Sequence, residues 1–307
     1  MTVRLLLPSR ERLPSLAAGA AVARWLARAD RLPNAEPGEQ AQLQRQFSVV
    51  PSGWPLAALT RQMEAGDAGE HAWVRADPAH VRADLTAVRL LACGALGLDR
   101  AQADTLLRAL QPLFDDAGWA LSAPTPERWY LRLPRDSALP AFCAPERALG
   151  DEIHDLLPAG PEGRRWRSLL NEAQIVLHNH PLNAERSARG RLAVNSLWFF
   201  GAGTLPQQVA TEAAVIASDD IELCAFAHAA GVASASLPPG FADVPVATDL
   251  IDLRHHRDAQ GLARDWLLPL QGALSAGRVE RVVLDFADGS GFALTPAQRW
   301  RFWRRSP

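Results

Sequence analysis

The chain has 307 residues, 48% of them hydrophobic and 21% charged, with a formal net charge of −2. It is long enough for one large domain or two ordinary ones, and its charge balance excludes general attraction to nucleic acid or anionic membranes. No lysine occurs among the 32 basic residues, which excludes a Schiff-base enzyme and a Walker lysine. Any anion must therefore be bound by guanidinium groups, backbone amides or helix ends.

No apolar run approaches the roughly 18 residues of a membrane span, and the N-terminal run is too short for a signal peptide. A cytoplasmic location is the expectation. Cys93, Cys143 and Cys224 are far apart and lack C-x-x-C spacing, so buried free thiols are expected rather than disulfides or a zinc site.

Along the chain, Val3–Leu7 reads as a buried strand, and Leu16 to Ala29 as a helix with Ser15 as its N-cap. Leu32 to Gly53 reads as irregular, and Leu56 to Glu64 as a helix stopped by Gly66. His71 to Arg75 suits a strand. Asp84–Leu96 and Ala101–Phe114 look like amphipathic helices around the Gly97-Leu98-Asp99 turn. Trp119–Leu121 and Arg128–Leu133 look like paired strands, the second alternating apolar and polar residues. A long helix is expected over Gly160–Leu177. Strand and helix then alternate: Leu197–Phe200, Glu222–Ala230, Leu250–Leu253, Gln260–Ala276, and Val279–Phe286 continuing into Gly291–Leu294. This alternation predicts a doubly wound, mostly parallel α/β sheet built from residues 1–70 and 179–307, with an α+β domain inserted at 71–178.

The most informative stretch is His180-Pro181-Leu182-Asn183-Ala184-Glu185-Arg186-Ser187-Ala188-Arg189-Gly190, followed by Asn195 and Gly201-Ala202-Gly203. Pro181 can open a helix at its first turn and Gly190 can end it. Gly201 and Gly203 leave an apolar strand where small residues allow close backbone approach or a sharp exit. This block resembles the H-P-x-N-x-x-R-x-x-x-G…A-N…G-x-G pattern of archaeal-type cofactor-independent phosphoglycerate mutases, of the alkaline-phosphatase superfamily. Asp151 and His154 stand where that family has a D-x-x-x-H-like element, and Val194 replaces its usual Ala. The resemblance implies an alkaline-phosphatase type of fold. It makes His180, Asn183, Arg186, Asn195, Gly201, Gly203, Asp151 and His154 candidate ligand-binding residues. Arg186, Arg189 or Arg191 would grip a phosphorylated or carboxylated small molecule.

Members of that family use two divalent metals, manganese or zinc, and a Ser nucleophile. Their first ligand sits in a D-G-x-G-D-like turn after the opening strand; here Pro8-Ser9-Arg10-Glu11-Arg12 follows, and its arginines repel cations. The later D-H-S/T turn is replaced by Asp285-Phe286-Ala287-Asp288-Gly289-Ser290. Asp252, His255, His256, Asp258, Asp285 and Asp288 remain as candidates for a residual metal site. Neither Ser48 nor Ser52 carries a nucleophile motif. No cofactor is expected, and the catalytic residues stay unassigned. The sequence also looks like regulatory proteins of RpfE type, which implies a degenerate enzyme with a protein partner. The alternative is an active metal-dependent phosphomutase or phosphohydrolase. The Arg299–Arg305 tail mixes tryptophan with arginine; it suits a capping helix with its aromatics on the sheet better than a nucleic-acid strand.

Overall fold

The computed structural model describes residues 1–12, 20–83 and 87–301. Along the chain run β1 (Thr2–Leu7), α1 (Ala20–Arg28), β2 (Asp30–Arg31), α2 (Glu39–Gln44), β3 (Ser48–Val50), α3 (Leu56–Ala65), β4 (Ala72–Ala83) and β5 (Val88–Cys93). They are followed by α4 (Arg100–Asp116), β6 (Ala120–Thr125), β7 (Arg128–Leu133), α5 (Gly160–His178), α6 (Pro181–Ala188) and β8 (Ser196–Gly203). The last part holds β9 (Gln208–Ala210), β10 (Val215–Ala217), α7 (Ile221–Ala229), β11 (Ala233–Ala235), β12 (Leu250–Asp252), α8 (Leu268–Ser275), β13 (Arg281–Phe286) and β14 (Gly291–Leu294).

The chain forms two compact units, Met1–Val49 with Gln208–Pro307, and Val50–Gln207. The first is α/β, with a seven-stranded sheet in the order β11-β10-β12-β1-β13-β14-β2. The five strands from β11 to β13 are parallel, and β14 and β2 add antiparallel pairs. Val3, Leu5 and Leu7 point to one face, where Val22 and Trp25 of α1 and Leu270 and Leu274 of α8 cover them. Each large side chain buried there contributes about 1.5–3 kcal/mol. Pro269 has no N–H to give the preceding turn, and the segment Leu262–Leu267 ahead of it widens to a π-helix.

In the second unit β4 is the spine. One of its edges pairs with β7 and then β5, the other with β8, all antiparallel. Ala72, Val74, Leu131 and Leu197 face Leu106, Leu110, Trp166 and Leu177 of α4 and α5 in a single core. There Trp166 stacks on Trp119 at 4.6 Å. Asp99 caps α4 by accepting from the Gln102 amide at 2.8 Å. On the opposite face Trp73 and Tyr130 pack on Ala57 and Ala58 of α3.

The α/β class and the mostly parallel sheet agree with the sequence. Several elements differ. Val88–Cys93 is a strand where Asp84–Leu96 suggested a helix, because its backbone pairs antiparallel with β4. Residues 84–86 and the proposed Ser15 cap lie outside the described residues. The stretch expected to be irregular contains α2 and β3. β8 is antiparallel to β4, not a strand of the parallel sheet. For that reason α3 and the His180–Gly203 block belong to the second unit, and the unit boundaries fall at 49/50 and 207/208 rather than at 70/71 and 178/179. The three cysteines are free, as expected, but only half-buried.

Candidate functional site: the carboxyl edge of the parallel sheet

Ligands of open parallel sheets sit beyond the carboxyl ends of the strands. In the first unit that edge carries acidic residues of β12 and β13 and of the loops after them. Asp252 and Asp285 both stand in register with Leu6, on either side of β1. Two strand spacings separate them by about 10 Å.

Each carboxylate already holds a cation. Asp252 is buried, and Arg254, itself 2% exposed, grips it with Nε and Nη2, both at 2.9 Å. Ser218 donates to Asp252 Oδ2 at 2.8 Å. Arg254 Nη2 also reaches Asp220 Oδ1 at 2.9 Å. Asp220 caps α7 through the Leu223 amide and meets His255 Nε2 at 3.1 Å. Asp285 takes a bidentate grip from Arg45, at 3.1 and 2.6 Å, and a further bond from Gln46. Asp288 accepts from the Arg10 backbone and side chain and from Ser290. Asp258 caps the turn at Gln260, and Arg12 pairs with Glu39. The arginines after β1, expected only to repel cations, instead act as the counter-ions of local carboxylates.

The electrostatics follow this pairing. Burial opposes ionisation of Asp220, but the His255 hydrogen bond and the Arg254 charge outweigh it and hold the carboxyl well below its usual range. Burial likewise works against the Arg254 charge, yet Asp252 and Asp220 raise its pKa above the ordinary value. For Asp288 burial is outweighed by bonds from Ser290 and Arg10, and the pKa falls. His255 is raised by its bond to Asp220.

The sign for stability follows. The His255–Asp220 pair contributes fully below the unfolded histidine value of about 6.5 and is lost as pH rises through the raised folded value. Its Asp220 side is lost only as pH falls below about 3.9 towards the depressed folded value. Wild-type protein is therefore expected to lose thermal stability more steeply than His255→Ala as pH rises above about 6.5. Equal slopes would mean that the pair does not form.

The donor set does not fit a metal centre. Among the described residues no three His, Cys, Asp or Glu side chains gather as a metal would need. The carboxylate oxygens of Asp252 and Asp285 that an ion would use are occupied by guanidinium donors. Asp252, His255, His256, Asp258, Asp285 and Asp288 thus do not converge on one point.

The His180–Gly203 block lies in the second unit and is spent on structure. His180 caps α6, its Nδ1 accepting from the Leu182 amide at 3.2 Å. Asn183 donates to the carbonyls of Leu177 and Val194 and accepts from the Val194 amide. Arg186, 1% exposed, donates to the Leu192 and Leu96 carbonyls and to Gln102 Oε1. Three of its five N–H donors are thus spent on the protein, and burial keeps the group from solvent. Desolvation, followed by the nearby Arg191 charge, lowers its pKa. Asn195 pairs through its amide with both backbone groups of Val81, at the irregularity of β4. Gly201 has a φ of 63°, and a Cβ there would lie 3.0 Å from that of Leu56; one on Gly203 would lie 2.6 Å from Pro55 Cβ. These glycines admit the start of α3 rather than a ligand.

Arg189 is exposed, Arg191 bonds the Gly97 carbonyl, and Asp151 and His154 are exposed in a turn and a short 3-10 helix. Ser48 and Ser52 are exposed, Ser48 meeting the Ala210 carbonyl. The residues that sequence patterns missed are Arg45, Arg254 and Asp220. The Asp-Leu-Arg spacing of 252–254 was the one available signal.

No family model matches the sequence. A stretch of 66 residues is 36% identical to the 2,3-bisphosphoglycerate-independent phosphoglycerate mutase of Methanosarcina barkeri, covering 21% of this chain and 17% of that enzyme. Another of 63 residues is 36% identical to the probable enzyme of Geobacter sulfurreducens, covering 20% and 16%. The similarity thus spans less than a fifth of these curated relatives. A cofactor-independent phosphoglycerate mutase from Thermoplasma acidophilum superposes with a TM-score of 0.44 and 17% identity, over 96% of this chain and 89% of that one. A Pyrococcus horikoshii protein does so with a TM-score of 0.49 and 12% identity, over 96% and 86%. The chain is locally phosphoglycerate-mutase-like in sequence.

The tail differs from expectation. Trp300 ends a 3-10 turn 64% exposed rather than packed on the sheet, and Arg301 pairs with Asp30. Residues 302–307 lie outside the described residues. No described helix is long and apolar enough to cross a membrane.

Proposed function

We infer that this chain is a non-catalytic relative of the cofactor-independent phosphoglycerate mutases, of alkaline-phosphatase-type fold. Its role is binding or regulation in the cytoplasm, in the manner of RpfE-type proteins with a protein partner. One observation carries this reading. Arg254, Arg45 and Arg10 occupy the carboxylates at the carboxyl edge of the parallel sheet, so that fixed cations stand where a metal-dependent phosphoryl transferase needs free ligands. A guanidinium neutralises charge but offers no empty coordination position, and it cannot activate an attacking oxygen as a Lewis acid.

The test is incubation with manganese or zinc and either 2- or 3-phosphoglycerate, with elemental analysis of the purified protein. No interconversion and no stoichiometric metal are expected. Turnover near the common enzymatic range of about 1 s⁻¹ or above would overturn the reading and make the chain an active phosphomutase.

A further inference from the structure

The second unit contains a cleft of about 450 Å³. Its walls are the start of β5 (Ala87, Val88), the segment Glu152–His154 with Leu157, and one turn of α5 (Leu170, Asn171, Gln174). This volume is within the range of small-molecule sites. A small recess shares Leu157 and Leu170 with the cleft and is lined by Trp166, Trp198, Phe199 and Arg167, whose guanidinium donates to the Pro158 carbonyl. The Ile153 amide is tied to the Val88 carbonyl at 2.9 Å, so the two rims are fixed to each other. Gln174 is anchored through its amide nitrogen to Ser196 Oγ at 2.9 Å. Its oxygen remains an acceptor.

Glu152, His154 and Asn171 stand exposed at the mouth of the cleft. Elsewhere in this unit Glu64, Asp67, Glu70, Asp77 and Asp104 each pair with an arginine. Among the described residues the side chains of Glu152, His154 and Asn171 have no hydrogen bond or ion pair. The rim sequence Asp151-Glu152-Ile153-His154-Asp155 carries three carboxylates. The adjacent base, Arg89, donates to the Gly150 carbonyl.

We propose that this cleft is a binding site for a small organic amine whose apolar body lies on Val88, Ile153, Leu157 and Leu170 and whose cationic head meets Glu152, with Asn171 and Gln174 as acceptors. An ammonium donates to a carboxylate and amide oxygens in a charge-assisted set, whereas a phosphate or carboxylate would meet the like charge of Glu152, the carboxylate that lines the cleft. The site therefore takes the opposite charge class from the ligand that the mutase resemblance implies. It does not rest on the non-catalytic reading, because the carboxyl edge of the parallel sheet contributes no residue to it.

The experiment titrates the full chain with phenethylamine, 2-phenylethanol and 3-phenylpropionate, followed by amide chemical shifts and calorimetry. Phenethylamine is expected to saturate at millimolar concentration or below, with shifts concentrated at residues 152–157 and 170–174. 3-Phenylpropionate should bind at least about tenfold more weakly, and Glu152→Gln should weaken the amine by about the same factor. Asn171→Trp, an exposed helix position, should close the mouth and abolish binding. Absence of saturable amine binding, equal affinity for the carboxylate, or an unchanged Glu152→Gln would each overturn the proposal.

Discussion

Arg254→Ala is expected to destabilise the parallel-sheet unit by about 3–5 kcal/mol, the usual cost of removing one partner from a buried ion pair. The guanidinium spans Asp252 and Asp220, and its loss leaves Asp252 carboxylate oxygens buried with only Ser218 and a backbone amide as donors. Because desolvated carboxylates then favour protonation, the deficit should shrink as pH falls towards about 4. Arg254→Lys should recover only part of the loss, since a single ammonium cannot hold the same fork of acceptors. Urea unfolding followed by tryptophan fluorescence, to which the buried Trp266 contributes, reads the effect. A variant as stable as wild type would mean that the carboxylates find another counter-ion, and a metal would then be the first candidate to seek.

Arg186→Met is the second large effect, in the other unit. Methionine fills similar volume but leaves the Leu96 and Leu192 carbonyls and Gln102 Oε1 without their donor. Each orphaned buried acceptor costs about 1–3 kcal/mol, so a loss of about 3 kcal/mol or more is expected. Hydrogen exchange should accelerate first in residues 190–194, which Asn183 and Arg186 clasp to α6. Full stability in Arg186→Met together with weakened binding of 3-phosphoglycerate would return Arg186 to the ligand-binding role suggested by its motif.

The long amphipathic helices α4 and α5 and the apolar strands β1, β12 and β13 were legible in the sequence, because burial of one face or of both leaves a periodic signature. Val88–Cys93 was not. A short run such as V-R-L-L-A-C fits either period, and only its pairing with β4 decides it. β8 shows the same weakness at the level of topology. An all-apolar strand announces burial but not the sheet that buries it, and here an antiparallel neighbour far back in the chain supplies the partner.

For the site, absence of the D-G-x-G-D and D-H-S/T turns could be read directly. The arginines that grip the remaining carboxylates could not. Arg45 caps the C-terminal end of α2, in a stretch that looked irregular, and reaches Asp285 some 240 positions away. No local pattern encodes such a pair. The roles carried over to Asn183, Arg186 and Asn195 named side chains that matter, but for holding backbone rather than ligand.

That Asn183, Arg186 and Asn195 spend their donors on carbonyl oxygens separates ancestry from activity. Changing any of these letters would unpick a scaffold, whatever chemistry the protein performs. Shared spelling over this stretch therefore speaks for a common way of lashing a loop to a helix, and enzymatic competence has to be judged at other positions.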